Sequence, residues 1–212
     1  MDPKQILVVL AHPDDEGIIG GTLMEHAQQG AKITYICLTL GEMGRNMGKP
    51  PFATRVSLPK IRRQELKEAC QLIGIQDVRE FGLHDKMVEF EDQEAVADRV
   101  LEVIEEVKPD LIYTFYPGHG VHPDHDACGA ITIRAVAKLP ADKRPVTRCI
   151  AMTPGSYAVL GQPDFVNDVS DIVDLKIQAI GAHKTQFQLM LGNYSQETKD
   201  RHRHERLWVY RF

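Results

Sequence analysis

The sequence predicts an α/β fold, a three-layer sandwich in which helices cover both faces of a mostly parallel sheet, with 1–212 as one domain. Two observations predict it. Apolar runs of strand length alternate with segments of helical periodicity, the pattern of successive strand–helix–strand units. The chain of 212 residues can bury one good core or two very small ones, and it carries no internal repeat or linker that would divide it.

Ile6-Leu7-Val8-Val9-Leu10 is a continuous apolar run and reads as a strand buried on both faces. Residues 17–29 read as a helix, with Ile19, Leu23 and Ala27 on one side and Gly30 as its stop. Residues 33–40 are rich in β-branched and aromatic side chains and form the next strand. Over 57–73 a helix starts near Pro59, carries the stripe Leu66, Ala69, Cys70 and Ile73, and ends at Gly74. A short strand at 78–81 leads to a helix at 92–108, with Val96, Val100, Val103 and Val107 inward and Pro109 as terminator. A strand at 110–116, a helix at 124–138, a strand at 148–152, a helix at 171–191 and a strand at 207–212 complete the pattern. The connection from 41 to 58 carries Gly41, Gly44, Gly48, Pro50 and Pro51 without periodicity. So long a loop in a compact domain is functional or disordered, and this one should wall the face reached by the carboxyl end of the second strand.

Composition narrows the function classes. Hydrophobic residues make up 43% of the chain, charged residues 26%, and the net charge is −5. The short charged patches at 60–63 and 201–206 read as solvated helix faces, and no nucleic-acid partner is expected. The amino terminus lacks the features of a signal peptide, and no apolar run approaches membrane-spanning length, so no membrane partner and a cytoplasmic location are expected. Cys37, Cys70, Cys128 and Cys149 show no C-x-x-C pairing and read as reduced core thiols.

Two polar clusters carry the chemistry. Ala11-His12-Pro13-Asp14-Asp15-Glu16 ends the first strand, and His122-Pro123-Asp124-His125-Asp126 follows the strand at 110–116. In open α/β sheets, ligands collect just beyond the carboxyl ends of the strands. His12, Asp15 and His125 offer two imidazoles and one carboxylate, a catalytic zinc set that leaves a position open. Such an ion acidifies a water and polarises a carbonyl. Asp14 then serves as general base, His122 as oxyanion donor, and Asp124 as the group that keeps His122 protonated and oriented. Glu16 and Asp126 read as charges at helix amino termini. A dinucleotide site is excluded, because G-x-G-x-x-G is absent and three acidic residues stand where a pyrophosphate would lie. A two-metal phosphoesterase and a non-catalytic metal-binding protein remain as alternatives. The first would want carboxylate-bridged ions, and the second a closed fourth ligand.

These paired motifs resemble those of the PIG-L/LmbE family of zinc-dependent N-deacetylases, and the similarity covers nearly the whole chain. Gly41-Glu42-Met43-Gly44, Arg62 with Glu65, and Ala182-His183-Lys184-Thr185-Gln186 also look like family features. The resemblance implies a Rossmann-like fold and removal of acetyl from an N-acetylglucosamine unit. It places His12, Asp15 and His125 at the Zn2+ ligands (one ion per chain, Fe2+ fitting the same set), Asp14 at the base, and His122 with Asp124 at the electrostatic pair. Length and the short amino terminus are most similar to the bacterial deacetylases of bacillithiol synthesis, whose substrate is N-acetylglucosaminyl malate. Related members act on chitooligosaccharides, and relatives associate, which implies a homo-oligomer. For the amino-sugar substrate, Arg45 is the candidate for a malate carboxylate, Glu42 for sugar hydroxyls, and His183 for the pocket or its support. Arg62 and Glu65, one turn apart, read as an ion pair steadying the loop. His119 reads as shaping its turn, and Asp85 as a pocket residue without a further role.

Overall fold

Five parallel strands form one contiguous run of the sheet in this computed structural model, which describes residues 3–187 and 195–212. They are β1 (Gln5–Leu10), β2 (Lys32–Thr39), β3 (Asp77–Leu83), β4 (Leu111–Phe115) and β5 (Val146–Ile150). β6 (Phe165–Asp168) and β7 (His204–Val209) join antiparallel, giving the order β3-β2-β1-β4-β5-β7-β6. Ile6 through Leu10 have no exposed surface, as expected of a central strand covered on both faces. The chain runs outward from β1 to β2 and β3, then returns to place β4 on the other side of β1. That reversal opens a crevice beyond the carboxyl ends of β1 and β4.

Helices α1 (Gly20–Gln28), α2 (Leu58–Ile73) and α6 (Val173–Gly181) pack together as one layer, and α3 (Gln93–Val107) packs on α4 (Pro123–Ala137) as the other. A short helix, α7 (Lys184–Phe187), falls inside the helix read at 171–191, whereas two others, α5 (Ser156–Leu160) and α8 (Gln196–His202), were not legible in the sequence, nor was β6. Each is seven residues or shorter, too brief to show a period.

Two expected helices are interrupted. The segment read as a helix from 17 begins as a 3-10 turn, Asp15–Ile19, before α1. The helix read at 171–191 is a 3-10 turn (Ser170–Ile172), then α6, then a break, then α7; its last four positions, 188–191, lie outside the described residues. The break has a cause: the Thr185 N–H donates to Glu65 Oε1 at 2.7 Å and not to a carbonyl one turn earlier. The last strand begins at His204, earlier than the expected 207. All four cysteines are buried and free. No helix among the described residues is long and apolar enough to cross a membrane.

One buried ion pair ties β7 to the helical layer. Glu205 accepts from the N–H groups of Gly21 and Thr22 at 2.8 Å each, at the start of α1, and Lys176 Nζ of α6 lies 2.6 Å from the same carboxylate. Lys176 also donates to the carbonyls of Ile18 (3.0 Å) and His202 (3.1 Å). Removing one partner strands the other charge in the interior. Glu205→Leu is therefore expected to lower stability by about 3–5 kcal/mol, read as a fall in the urea midpoint at unchanged m-value.

Candidate active site and metal centre

The crevice is lined by the turn after β1, the loop and first turn of α4 after β4, and the long loop after β2. After β1 the chain turns sharply. Asp14 adopts φ 100°, ψ −22°, a left-handed conformation uncommon outside glycine, and Asp15 accepts the His12 N–H at 2.8 Å. After β4, Gly120 brings its loop against α4: a Cβ there would stand 2.5 Å from the Cβ of His125. Asp126 accepts the Gly120 N–H at 2.7 Å, so it pins this loop as well as standing in the first turn of α4. The His125 ring stacks on Phe115 at 4.0 Å between centroids.

Hydrogen bonds fix the ring protons. His125 Nδ1 lies 2.9 Å from the Gly120 carbonyl, which can only accept, so the neutral ring carries its proton there and leaves a lone pair on Nε2. His12 Nε2 faces two carboxylates, Asp124 at 3.1 Å and Asp85 at 3.2 Å, which leaves the lone pair on Nδ1. Those two nitrogens, His12 Nδ1 and His125 Nε2, are 3.2 Å apart. Asp15 adds Oδ1 at 3.2 Å from His125 Nε2 and Oδ2 at 3.5 Å from His12 Nδ1. Lone pairs and a carboxylate converging like this require a cation. The spacing matches the roughly 3.4 Å between two nitrogens that share a tetrahedral ion at about 2.1 Å each. The residues present therefore fit a divalent metal, and the carboxylate–imidazole contacts of His12 are those that orient metal-binding histidines.

The titration of the site follows its geometry. Burial opposes the charge of Asp15, but the His125 and His12 imidazoles outweigh it and hold the carboxyl well below the usual range. Burial likewise works against a charged His12, and hydrogen bonds from its ring to the carboxylates of Asp124, Asp15 and Asp85 overcome it, raising the pKa. Asp14 is pushed up to about 6, chiefly by burial, with the Arg62 guanidinium pulling the other way. Burial and the neighbouring His12 lower His122.

A cavity of about 360 Å³ gathers His12, Asp14, Asp15, His122, His125 and Arg45, together with Asp85, Lys86, Arg62 and Gln186. Met43 and Gly44 also line it, so the loop from 41 walls this face as the sequence implies. Several expectations are corrected. The Asp124 carboxylate turns to His12 and to the N–H groups of Lys86 (2.6 Å) and Val88 (3.2 Å); what His122 receives is the backbone N–H of Asp124, 3.1 Å from Nδ1, as the cap of α4. His183 does not line the cavity. It has no exposed surface and lies against Glu16, which stands in the first turn of the 3-10 segment Asp15–Ile19, as expected of a helix amino-terminal charge, and is itself fully buried. Glu42 commits Oε1 to the Asp85 N–H at 2.9 Å. Arg62 and Glu65 do not pair: Arg62 reaches Asp14 Oδ2 (2.8 Å) and the carbonyls of Gly41 (2.9 Å) and Pro13, while Glu65 holds Thr185. His119 shapes its turn, its carbonyl accepting from the N–H groups of Met152 (2.7 Å) and Thr153 (3.2 Å).

Sequence reasoning missed the roles of Arg62 and Asp85. The i,i+3 spacing of Arg62 and Glu65 pointed to a pair because it holds no information about what the other face of α2 meets. Asp85 sits in no motif, and only the arrival of its loop beside His12 gives it a task.

Comparison with known proteins agrees with this geometry. The family model described as PIG-L, GlcNAc-PI de-N-acetylase, matches residues 7–136. A Bacillus cereus protein named "Probable N-acetyl-alpha-D-glucosaminyl L-malate deacetylase 2" is 46% identical over 99% of both chains. Its namesake from Bacillus subtilis strain 168 is 48% identical over 93% of this chain and 90% of its own. Among solved structures, the N,N'-diacetylchitobiose deacetylase of Pyrococcus horikoshii superposes with a TM-score of 0.76 at 22% identity, covering 99% of this chain and 84% of its own. The 4-carboxy-2-hydroxymuconate hydratase GalB of Pseudomonas putida KT2440 shares the fold as well, at a TM-score of 0.71 and 21% identity, covering 99% of this chain and 97% of its own. Likeness at that distance shows the fold alone. The match over more than half the chain, with near-full-length relatives above 40% identity, shows that this chain belongs to the PIG-L family of de-N-acetylases.

Proposed function

We propose that this protein is a metal-dependent hydrolase that removes the N-acetyl group from an N-acetylglucosamine conjugate, with N-acetylglucosaminyl malate as its substrate. The observation that carries the reading is the pair of facing lone pairs on His12 and His125 with the Asp15 carboxylate, set in one cavity beside an unspent carboxylate and imidazole. In this reading His12, Asp15 and His125 hold one Zn2+, for which Fe2+ is the alternative. When bound, the ion supplies Lewis acidity, acidifying water and polarising the acetamide carbonyl.

The chain's own groups then divide the proton traffic. Asp14 Oδ2 is held by Arg62, and its other oxygen has no partner among the described residues. With its pKa raised to about 6, that carboxylate takes a proton from the attacking water and returns it to the leaving amine. His122 accepts the Asp124 N–H on Nδ1, so its neutral ring carries a proton on Nε2 and donates to the developing oxyanion without being charged. Asp124 acts on His12, keeping the proton on Nε2 and the lone pair on Nδ1. A non-catalytic metal protein would have no use for Asp14 and His122 in this placement.

Malate is favoured over a chitooligosaccharide by two observations. The near-full-length relatives carry the malate name, and a chitobiose-acting relative from Thermococcus kodakarensis is only 28% identical. Arg45 and Lys86 line the same cavity, and neither side chain has an ion-pair or hydrogen-bond partner among the described residues, which suits a second, dicarboxylate end. Glu42 keeps Oε2 for a sugar hydroxyl. We further take 1–212 as one domain, since β1 and β7 share the sheet, acting in the cytoplasm, as its free thiols suggest. The homo-oligomer that the resemblance implies is checked by light scattering.

Asp14→Asn should keep its metal and lose about 100- to 10,000-fold in kcat, whereas His125→Ala should lose the metal itself, as read by elemental analysis. Arg45→Ala should raise KM for the malate conjugate about tenfold and leave an uncharged N-acetylglucosamine glycoside unaffected. Absence of amine release from every N-acetylated glucosamine conjugate by the metal-loaded protein would overturn the assignment.

A further inference from the structure

Glu16 and His183 are fully buried, and neither has a part in the chemistry above. Acidic side chains rarely lie wholly inside unless paired. These two residues, 167 positions apart, meet at 2.5 Å between Glu16 Oε1 and His183 Nε2. The other oxygen, Oε2, accepts the backbone N–H of Asp14 at 3.0 Å. His183 Nδ1 is buried and has no partner among the described residues, so the neutral ring keeps its proton on Nε2 and donates it to Glu16.

The backbone so held is the unusual one. Asp14 stands at φ 100°, and its carbonyl accepts the Gly17 N–H at 3.1 Å, so its peptide groups are gripped from both sides. This turn lets Asp14 and Asp15, neighbours in sequence, line the same cavity, where an extended strand would send them to opposite sides. His183 reaches Glu16 because α6 stops at Gly181 and Gly17 lets the two segments close: a Cβ on Gly17 would stand 2.7 Å from Ile180 Cγ1.

We propose that Glu16 and His183 are positioning residues for Asp14. The imidazole pins the Glu16 carboxylate, and the carboxylate pins the left-handed turn that presents Asp14 beside His12, Asp15 and His125. The inference rests on the reading of Asp14 as the base. It does not need His183 to be charged.

The test is steady-state kinetics of the metal-loaded protein on the malate conjugate, with metal content measured in parallel. Glu16→Ala is expected to lose about 100-fold in kcat, the scale of a 1 Å misplacement, with KM and metal content unchanged. Glu16→Gln, whose amide oxygen still accepts from Asp14 and whose NH2 donates to His183 Nε2 once the neutral ring moves its proton to Nδ1, should stay within about threefold of the parent. In the Asp14→Asn background, Glu16→Ala should cost nothing further, since a device that serves Asp14 has nothing left to serve. Should Glu16→Ala fail to fold, His183→Asn replaces it, with His183→Gln as the conservative control that keeps a donor near the Nε2 position. Unchanged kcat in Glu16→Ala, loss of metal, or an equal loss in both backgrounds would overturn the positioning role while Asp14→Asn stays inactive. Full turnover in Asp14→Asn would instead remove the base assignment, and the positioning inference with it.

Discussion

The site depends on an electrostatic mismatch that the fold imposes. Two imidazole lone pairs and an ionised carboxylate are held within about hydrogen-bonding distance of one another, their protons directed elsewhere by Gly120, Asp124 and Asp85. Left alone, that arrangement repels itself, so it takes up a cation. Burial works against charge on both rings, yet the carboxylates around them, Asp124, Asp15 and Asp85 for His12 and Asp15 for His125, raise both pKa values. A divalent ion meets the same demand with greater charge and leaves the protons on the outward nitrogens undisturbed.

Every support of that arrangement lies on the same end of the sheet. β1 and β4 are neighbours, so the turns that follow them face each other across a gap only the order reversal provides. α2, which follows β2, sends Arg62 to Asp14 and Glu65 to Thr185, joining the turn after β1 to the segment after α6. The loop from 41 closes the side, held by Met43 N–H on Asp85 at 2.8 Å and by Arg55 on the carbonyls of Glu42 (2.8 Å) and Gly44 (2.9 Å). Residues that touch no reacting group therefore set the positions of those that do.

Much of this was legible from local pattern. The central strands are long apolar runs, and α2 and α3 carry apolar stripes with glycine or proline stops, so period and punctuation agree with tertiary burial. Motifs at strand ends point to the crevice because topology puts strand ends there. Legibility fails where a polar residue has several partners within reach. Asp124 stands two residues from His122 and yet serves His12, and Arg62 passes over Glu65 for Asp14. It fails again at His183, whose place on an apolar stripe is the same whether it meets solvent, substrate or a buried carboxylate.

The sequence by itself determined the strand–helix alternation, the two clusters of His and Asp, and the residue types that such a metal centre needs. These follow from period, spacing and side-chain chemistry, which are properties of short segments. Only the tertiary structure decided which nitrogen of each ring is free, which carboxylate each histidine faces, and that Glu16 and His183 lie beneath Asp14. A hydrogen bond is directional and reaches only about 3 Å, so its partner is chosen by where distant segments pack.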